Sequence, residues 1–376
     1  FLEAARLGAG REALFGLGQS YAGRGDWAGA MEHWLPLLEA NPDDAGVHVA
    51  LGQSSLDAGR FEQAGAYMVR ALELDPEPKE AAAAHAVLGR LAAGRDPAEA
   101  EEHLRLAGDA DMLAVVGVAG TEADPARRAL LLGVAALQRN ELALACQRFE
   151  EAVALAPDDA EAVAYLAHSL DRLGKTVAAR DLLARAQALE SGQASPLVYY
   201  FLGTHERLVG NVAAAQAAFW EALQRDPLNA ALRVEMAEAF LMVPDYAMAE
   251  EWYVGAAEAA PDDVEFRLLL ARFYVDHLYR VEAGGVPAAQ AAVDLAPDDA
   301  RAYDLLGRAL HLAGRPSEGE AMLVQALLLD PDLVSAHYHL GSLYASTGRY
   351  ALARQHLQRA ADLDRVGFYR NRAEQV

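Results

Sequence analysis

Proline residues recur along this chain at a fixed spacing, and a similar pattern of apolar and small residues precedes them. Pro42 and Pro76 lie 34 positions apart, and so do Pro227 and Pro261. A period of about 20–50 residues is typical of repeat architectures, in which one supersecondary unit stacks on its neighbours. The sequence therefore predicts one unit repeated along the chain, which constrains the architecture strongly and the biological role weakly.

The last complete copy indicates what this unit folds into. Leu340, Gly341 and Tyr344 follow each other at i, i+1 and i+4, which places them on one face of a helix. Gly348 predicts a short turn after that helix. A second helix is predicted by apolar and small residues at i, i+4 and i+7: Ala353, Leu357 and Ala360. The unit is therefore a helix-turn-helix hairpin, whose apolar face must be buried by a neighbouring hairpin.

The same pattern fills earlier copies, with Leu-Gly or its equivalent on the first helix and Ala, a large residue and Pro further on. These copies contain Leu17, Gly18, Ala30, Trp34 and Pro42; Leu51, Gly52, Ala64, Met68 and Pro76; Leu132, Gly133, Ala145, Phe149 and Pro157; Leu202, Gly203, Ala215, Phe219 and Pro227; and Met236, Ala237, Ala249, Tyr253 and Pro261. The pattern resembles the tetratricopeptide repeat over nearly the whole chain. The resemblance implies an all-α fold, an α-solenoid forming a right-handed superhelix of about ten hairpins, with residues 1–376 as a single array.

Several segments depart from the period. Residues 79–125 are too long for one hairpin, and we expect an irregular repeat there with an extra short helix. We expect the segment 284–287, Gly-Gly-Val-Pro, to delay a second helix and lengthen the helix before it. Residues 1–10 resemble the end of a preceding second helix, and residues 366–376 are expected to form a partial or capping first helix.

Composition excludes several classes of partner. The formal net charge is −23 and the isoelectric point about 4.8, which argues against nucleic acid and against anionic lipid, since both attract clustered cations. No apolar run approaches the ~18 residues that suggest a membrane span. We expect a soluble protein. No leader is visible and the chain begins at Phe1 rather than Met, so both a cytoplasmic and an exported location stay open. Almost all cations are arginine, which is typical of bacterial, GC-rich genomes, and the lone Cys146 is expected to be a packed thiol.

The sequence offers no catalytic or metal-binding constellation. The motifs CxxC, HExxH and GxxxxGK[ST] do not occur. His337 and His339 are two residues apart, so on a helix they point in different directions and do not chelate one ion. The repeated Pro-Asp-Asp, as at Pro42 and Pro297, predicts aspartates that cap helix starts. We therefore predict a protein that is not an enzyme and has no cofactor.

The family resemblance implies that the first helix of each hairpin lines a concave groove. At the expected groove positions stand Phe15, Gln19, Val49, Gln53, Leu130, His168, Tyr200, Thr204, Arg207, Arg308, His311 and Tyr338. The N-terminal half of this set is apolar and the C-terminal half is mixed and charged. Some relatives grip a partner's terminal carboxylate with a clamp of Lys and Asn, and those residues are missing at these positions.

Function is predicted accordingly as protein–protein interaction. The primary hypothesis is a scaffold that holds a partner protein or peptide in the groove. A second hypothesis is a structural subunit that polymerises head to tail through homotypic contacts between its ends, since such a contact does not close. A third is a regulatory arm of a larger enzyme.

Overall fold

Every regular element of the computed structural model is a helix within the residues that it describes, 10–364 and 367–373. The predicted all-α class is therefore confirmed. The chain divides into two compact units, Phe1–His205 and Glu206–Val376. The predicted end of a preceding helix, residues 1–10, lies almost wholly outside the described residues.

The first unit consists of paired helices. They are α1 (Arg11–Ala22), α2 (Trp27–Ala40), α3 (Ala45–Asp57), α4 (Phe61–Glu73), α5 (Pro78–Ala92), α6 (Pro97–Ala107), α7 (Ala110–Thr121), α8 (Pro125–Gln138), α9 (Leu142–Leu155), α10 (Ala160–Arg172), α11 (Thr176–Ala188) and the short α12 (Glu190–Ala194). The following helix, α13 (Pro196–Leu208), carries the boundary between the units.

The second unit continues the same alternation. Its helices are α14 (Val212–Arg225), α15 (Ala230–Leu241), α16 (Tyr246–Ala259), α17 (Val264–Asp276), a π-helical turn (Val281–Gly285), α18 (Val286–Leu295), α19 (Ala300–Leu312), α20 (Pro316–Leu329), α21 (Val334–Ser346), α22 (Tyr350–Leu363) and α23 (Phe368–Ala373). Helix α23 begins four residues after Asp364, as α21 begins four residues after Asp330.

Small residues allow the two helices of a hairpin to pack closely. A Cβ added to Gly133 in α8 would lie 2.5 Å from the Phe149 ring of α9. A Cβ on Gly341 in α21 would lie 2.8 Å from Leu357 of α22. Phe149 is fully buried at this contact. At these two positions a side chain would have to displace the facing ring or leucine, so glycine lets the two helices pack closely there.

The helix starts and turns follow from local chemistry. The Asp44 carboxylate accepts a hydrogen bond from the Val47 amide at 3.2 Å, and Asp299 accepts one from the Arg301 amide at 2.8 Å. These contacts confirm the predicted capping role of the aspartates. In the turn between paired helices, Gly348 adopts φ 77° and Asn140 fills the same position at φ 61°. Such left-handed backbone favours glycine and, next, asparagine.

The segment 79–125 forms three helices, α5, α6 and α7. The apolar side of α7, with Met112, Val116 and Ala119, packs in one core with Leu104 of α6 and Leu132 of α8. The helix α7 therefore fills the extra length of this region with buried surface.

The glycine-rich segment 281–287 behaves differently from the prediction. Helix α17 has the ordinary 13 residues, so the expected lengthening is wrong. Instead, the second helix opens with a π-helical turn. The Tyr274 ring lies against this turn so closely that a Cβ on Gly284 would stand 2.5 Å from it. Extra residues are thus absorbed as a π turn around an aromatic ring.

Candidate functional site

The first helices of the second unit line an open cavity, which we call the C-terminal groove. Its volume is about 900 Å³, and α17, α19, α21 and α23 all contribute side chains to it. Three of the predicted groove residues lie here, namely Arg308, His311 and Tyr338. All three are half-buried, so each keeps some surface for a partner. Along this part of the chain, the groove positions project into one cavity.

An ion pair and a histidine–carboxylate contact between neighbouring first helices form the wall of the C-terminal groove. The Arg308 guanidinium of α19 lies 2.5 Å from the Asp276 carboxylate of α17. One step further, His339 Nδ1 of α21 lies 2.7 Å from the Asp304 carboxylate of α19. The Arg308–Asp276 pair is partly exposed, and pairs of this kind add only about 0–1 kcal/mol to stability. Their main effect is to fix the side chains that face the cavity.

The other predicted residue of α19 is also held by its neighbour. His311 Nε2 lies 2.9 Å from the Ser346 hydroxyl at the end of α21. Burial, with a smaller contribution from His339, lowers the pKa of the His311 imidazole. His311 is therefore a neutral hydrogen-bonding group at neutral pH rather than a cation.

Aromatic rings cover one end of the C-terminal groove. The Tyr338 and Tyr369 rings lie 5.2 Å apart between centroids, and the Tyr369 amide donates to the Asp364 carboxylate at 2.6 Å. Burial, followed by the Asp304 charge, raises the pKa of the Tyr369 phenol. The phenol therefore stays protonated and can donate a hydrogen bond towards the cavity.

Arg272 of α17 is a groove residue that the sequence interpretation missed. It lines the C-terminal groove, is exposed, and takes part in no hydrogen bond or ion pair with any residue that the structure describes. The signal that would have located it is the pair Leu270-Ala271, which stands in place of Leu-Gly just before it. Asp276, one turn further along the same helix, was missed for the same reason.

A smaller cavity adjoins the C-terminal groove, and we call it the apolar cavity. Its volume is about 390 Å³, and four apolar side chains line part of it, Leu241, Met242, Leu269 and Phe273. The rest of its lining is polar: Arg207, Glu238, Tyr253, Arg272, Asp276 and His277. Arg272 and Asp276 line both cavities, so the two are continuous across α17. The four apolar side chains of the apolar cavity therefore lie next to the polar lining of both cavities.

Two polar residues at the edge of the apolar cavity are held by carboxylates. The predicted residue Arg207 lies 3.0 Å from the Glu235 carboxylate. Glu238, which also lines this cavity, accepts a short hydrogen bond from the Tyr253 hydroxyl. Burial, followed by the hydrogen bond to Glu238, raises the pKa of the Tyr253 phenol, so that phenol remains a donor.

The predicted residues of the first unit are mostly engaged in packing or local bonds. Leu130 is 3% exposed and lies in the core with Phe149, so its side chain has almost no surface for a partner. Phe15 is half-buried with its ring centroid 6.0 Å from that of Trp34, and Gln19 is exposed.

The remaining predicted residues of this unit are half-buried. Val49 packs on an apolar cluster and Gln53 donates to Asp57 at 3.2 Å. The Thr204 hydroxyl donates to a backbone carbonyl at 2.9 Å. The Tyr200 and His168 rings both contact Phe201, with centroids 5.2 and 4.6 Å away. The structure therefore brings together the predicted residues of the second unit more clearly than those of the first.

The described residues contain no group of three His, Cys, Asp or Glu side chains arranged to hold a metal ion. Over the same residues, each helix is too short or too polar to span a bilayer. Cys146 is buried, and burial raises the pKa of its thiol to about 11, in line with the predicted packed thiol.

The repeats match a known family. A family model described as tetratricopeptide repeat matches residues 15–78, 129–196, 202–264 and 313–367, which together exceed half of the chain. A search of curated proteins found no similar sequence.

Several solved structures are similar to the chain at low identity. Yeast Tom70 is 16% identical with a TM-score of 0.42, and the similarity covers 96% of this chain and 94% of that one. MamA from Desulfovibrio magneticus RS-1, residues 41 to the end, is 22% identical with a TM-score of 0.38, covering 45% of this chain and 95% of that one. YrrB, titled a TPR protein with an unusual peptide-binding site, is 21% identical with a TM-score of 0.37, covering 52% and 98%. The repeats matched by the family model, rather than these distant structures, identify the family.

Proposed function

We propose that this chain, which belongs to the tetratricopeptide repeat family, is an interaction scaffold that binds a protein or peptide partner in its C-terminal groove. The observation that carries the proposal is the open cavity of about 900 Å³ into which Arg308, His311 and Tyr338 project from successive first helices. Ligand clefts typically have volumes of about 300–1,000 Å³, so this cavity has room for several side chains of a peptide.

The charged and polar contacts of the groove wall support this function. Arg308 is held by Asp276, and His339 by Asp304, before any partner arrives. Binding to ordered side chains avoids part of the conformational entropy that association otherwise costs, about 0.5–1.5 kcal/mol for each mobile side chain. A groove with fixed polar groups and a half-buried aromatic ring is suited to selecting among peptides.

The proposal is tested by selecting peptides from a random display library on the purified full chain. The selected peptides are then titrated against Tyr338→Ala and against a control, Tyr350→Ala. Tyr350 is 72% exposed on the second helix α22, so it controls for loss of a tyrosine outside the groove. Truncating a central aromatic contact costs about 2 kcal/mol or more, so we expect Tyr338→Ala to weaken binding at least about tenfold.

Two results would contradict a binding groove here. One is an affinity for the selected peptides that is the same in Tyr338→Ala, Tyr350→Ala and the parent chain. The other is a library selection that enriches no peptide at all. Circular dichroism of each variant checks that the helices remain folded.

A further inference from the structure

We propose that the ligand of the C-terminal groove is an acidic peptide in which an apolar residue stands next to glutamate or aspartate side chains. This inference rests on the proposed function, and it adds the chemistry of the partner. Arg272 binds the carboxylate, and the adjoining apolar cavity takes the apolar residue.

Two arginines that line the groove, Arg272 and Arg372, form no ion pair with any described residue, whereas both carboxylates of the groove are engaged. Arginines 272, 301, 308 and 372 line the C-terminal groove, against the two carboxylates Asp276 and Asp304. Both carboxylates are already engaged, Asp276 by Arg308 and Asp304 by His339. A basic ligand would thus meet no free carboxylate in this groove, whereas an acidic ligand meets free guanidinium groups.

Arg272 is the free cation where the C-terminal groove and the apolar cavity meet. It forms no ion pair within the described residues, while Arg308 contacts Asp276, and Arg301 contacts Glu265 and Asp299. A guanidinium offers several donors in a planar fork that matches a carboxylate. Its exposure leaves that fork free to accept a ligand without breaking an existing pair.

Arg272 also stands beside the apolar side chains of the apolar cavity. The apolar cavity reaches Arg272 and is lined by Leu241, Met242 and Phe273. The carboxylate Glu238 at this cavity accepts a hydrogen bond from the Tyr253 hydroxyl, so it is also engaged. An apolar side chain of the ligand gains about 25 cal/mol for each Å² of surface that it buries in such a cavity.

The order of the residues along the groove sets the direction in which the ligand lies. On the far side of Arg272, the groove continues to the Tyr338 and Tyr369 rings and to Arg372, whose guanidinium lies 4.0 Å from the Phe368 ring centroid. The apolar residue therefore lies towards α15, and the acidic residues lie from Arg272 towards α23. The formal charge of the whole chain is −23, so this local preference for anions runs against its average charge.

The inference is tested with fluorescent synthetic peptides in an anisotropy titration against the full chain. The probe carries one leucine followed by glutamates, and its C-terminus is amidated so that only side-chain carboxylates are charged. Matched peptides replace the glutamates by glutamine, replace them by lysine, or replace the leucine by serine. We expect the leucine-glutamate peptide to bind most tightly.

Variants of the chain locate the binding site. Arg272→Gln removes the free guanidinium, and a hydrogen bond to a charged group is worth about 1.5–3 kcal/mol, so we expect at least about tenfold weaker binding of the glutamate peptide. Arg354→Gln, an exposed arginine of α22, is the control and should change binding less than about twofold. Met242→Ser should weaken the leucine peptide and leave the serine peptide nearly unchanged, because Met242 lines the apolar cavity.

The outcomes separate this inference from the proposed function. Equal binding of the glutamate and glutamine peptides, or undiminished binding to Arg272→Gln, would overturn the assignment of an acidic ligand. Tight binding of the lysine peptide that depends on Tyr338 would overturn the acidic chemistry and leave the groove itself supported. If none of these peptides binds while library-selected peptides do, the inference is likewise refuted and the proposed function stands.

Discussion

A buried ion pair in the first unit allows a direct test of which interactions stabilise this repeat array. Arg90 and Glu141 form a close contact, and each is 8% exposed. Arg90 follows Leu88-Gly89, as Arg308 follows Leu306-Gly307, so it stands at a groove position of α5. Here, however, its guanidinium points to the start of α9 and not to a partner.

Replacing Arg90 by leucine should destabilise this region strongly. Glu141 would be left buried, with Arg139 at 3.7 Å as its remaining cation. Removing one member of a buried pair costs about 3–5 kcal/mol, because the other charge stays uncompensated. The second cation places the expected loss near the lower end of that range. The double variant Arg90→Leu, Glu141→Leu should recover most of the loss, since no buried charge then remains.

The loss of stability in Arg90→Leu should also depend on pH, in a direction that the burial of Glu141 sets. Burial already raises the pKa of the Glu141 carboxyl above its usual value, and removing the nearest cation raises it further. A carboxyl whose folded pKa exceeds its unfolded pKa destabilises the fold when it is charged, and this effect disappears as the pH falls through the folded pKa. The deficit of Arg90→Leu should therefore shrink as the pH falls from neutrality towards the usual pKa of a glutamate, about 4.3.

The measurement is urea unfolding followed by circular dichroism, with hydrogen exchange to locate the change. We expect the amides of α5 and α9 to lose protection in Arg90→Leu and regain it in the double variant. Equal stability of Arg90→Leu and the parent chain at neutral pH would refute the reasoning. So would a double variant that is no more stable than the single one.

Three further outcomes follow from the structure. Gly341→Ala should lower the free energy of unfolding in urea by about 1–3 kcal/mol, because its Cβ meets Leu357. Gly117→Ala, with open space around it, should instead raise the free energy of unfolding by about 0.5–1 kcal/mol. Equal effects of the two substitutions would contradict the packing account. Burial lowers the pKa of His168 to about 4 from 6.5, so the unfolded chain binds the proton first and the folded state loses stability as the pH drops below 6.5. His168→Phe should reduce that loss of stability. An unchanged dependence of stability on pH in this variant would exclude His168 as its origin. In sedimentation velocity, a scaffold should remain one species as concentration rises, and growing polymers would favour the head-to-tail alternative.

Much of the hairpin could be predicted because it depends on local chemistry. The spacing of Leu340, Gly341 and Leu357 encodes the close approach of two helices, and Asp44 before a helix encodes a cap. These features need only neighbours within one repeat, so a single sequence carries them.

The groove was harder to predict, because it depends on contacts between repeats. Arg272 was missed where Leu270-Ala271 replaces Leu-Gly, in a stretch between matched segments of the family model. Leu130 occupies the same repeat position as Tyr338, yet it is buried in a core that Phe61 and Leu91 also contact. The position within a repeat therefore predicts the face of a helix, and the neighbouring repeats decide whether that face stays open.

The irregular region around α5 to α7 also changes how the first unit can fold. Arg90 and Glu141 are 51 residues apart, and Arg148 Nη2 donates to the Leu91 carbonyl 57 residues away at 3.1 Å. In a regular array, contacts connect only adjacent repeats, so such a chain can fray from either end one hairpin at a time. These two bonds close long loops, and the entropy of loop closure must be overcome before they form. The region from α5 to α9 should thus form late and melt as one block, while the plain hairpins beside it open singly.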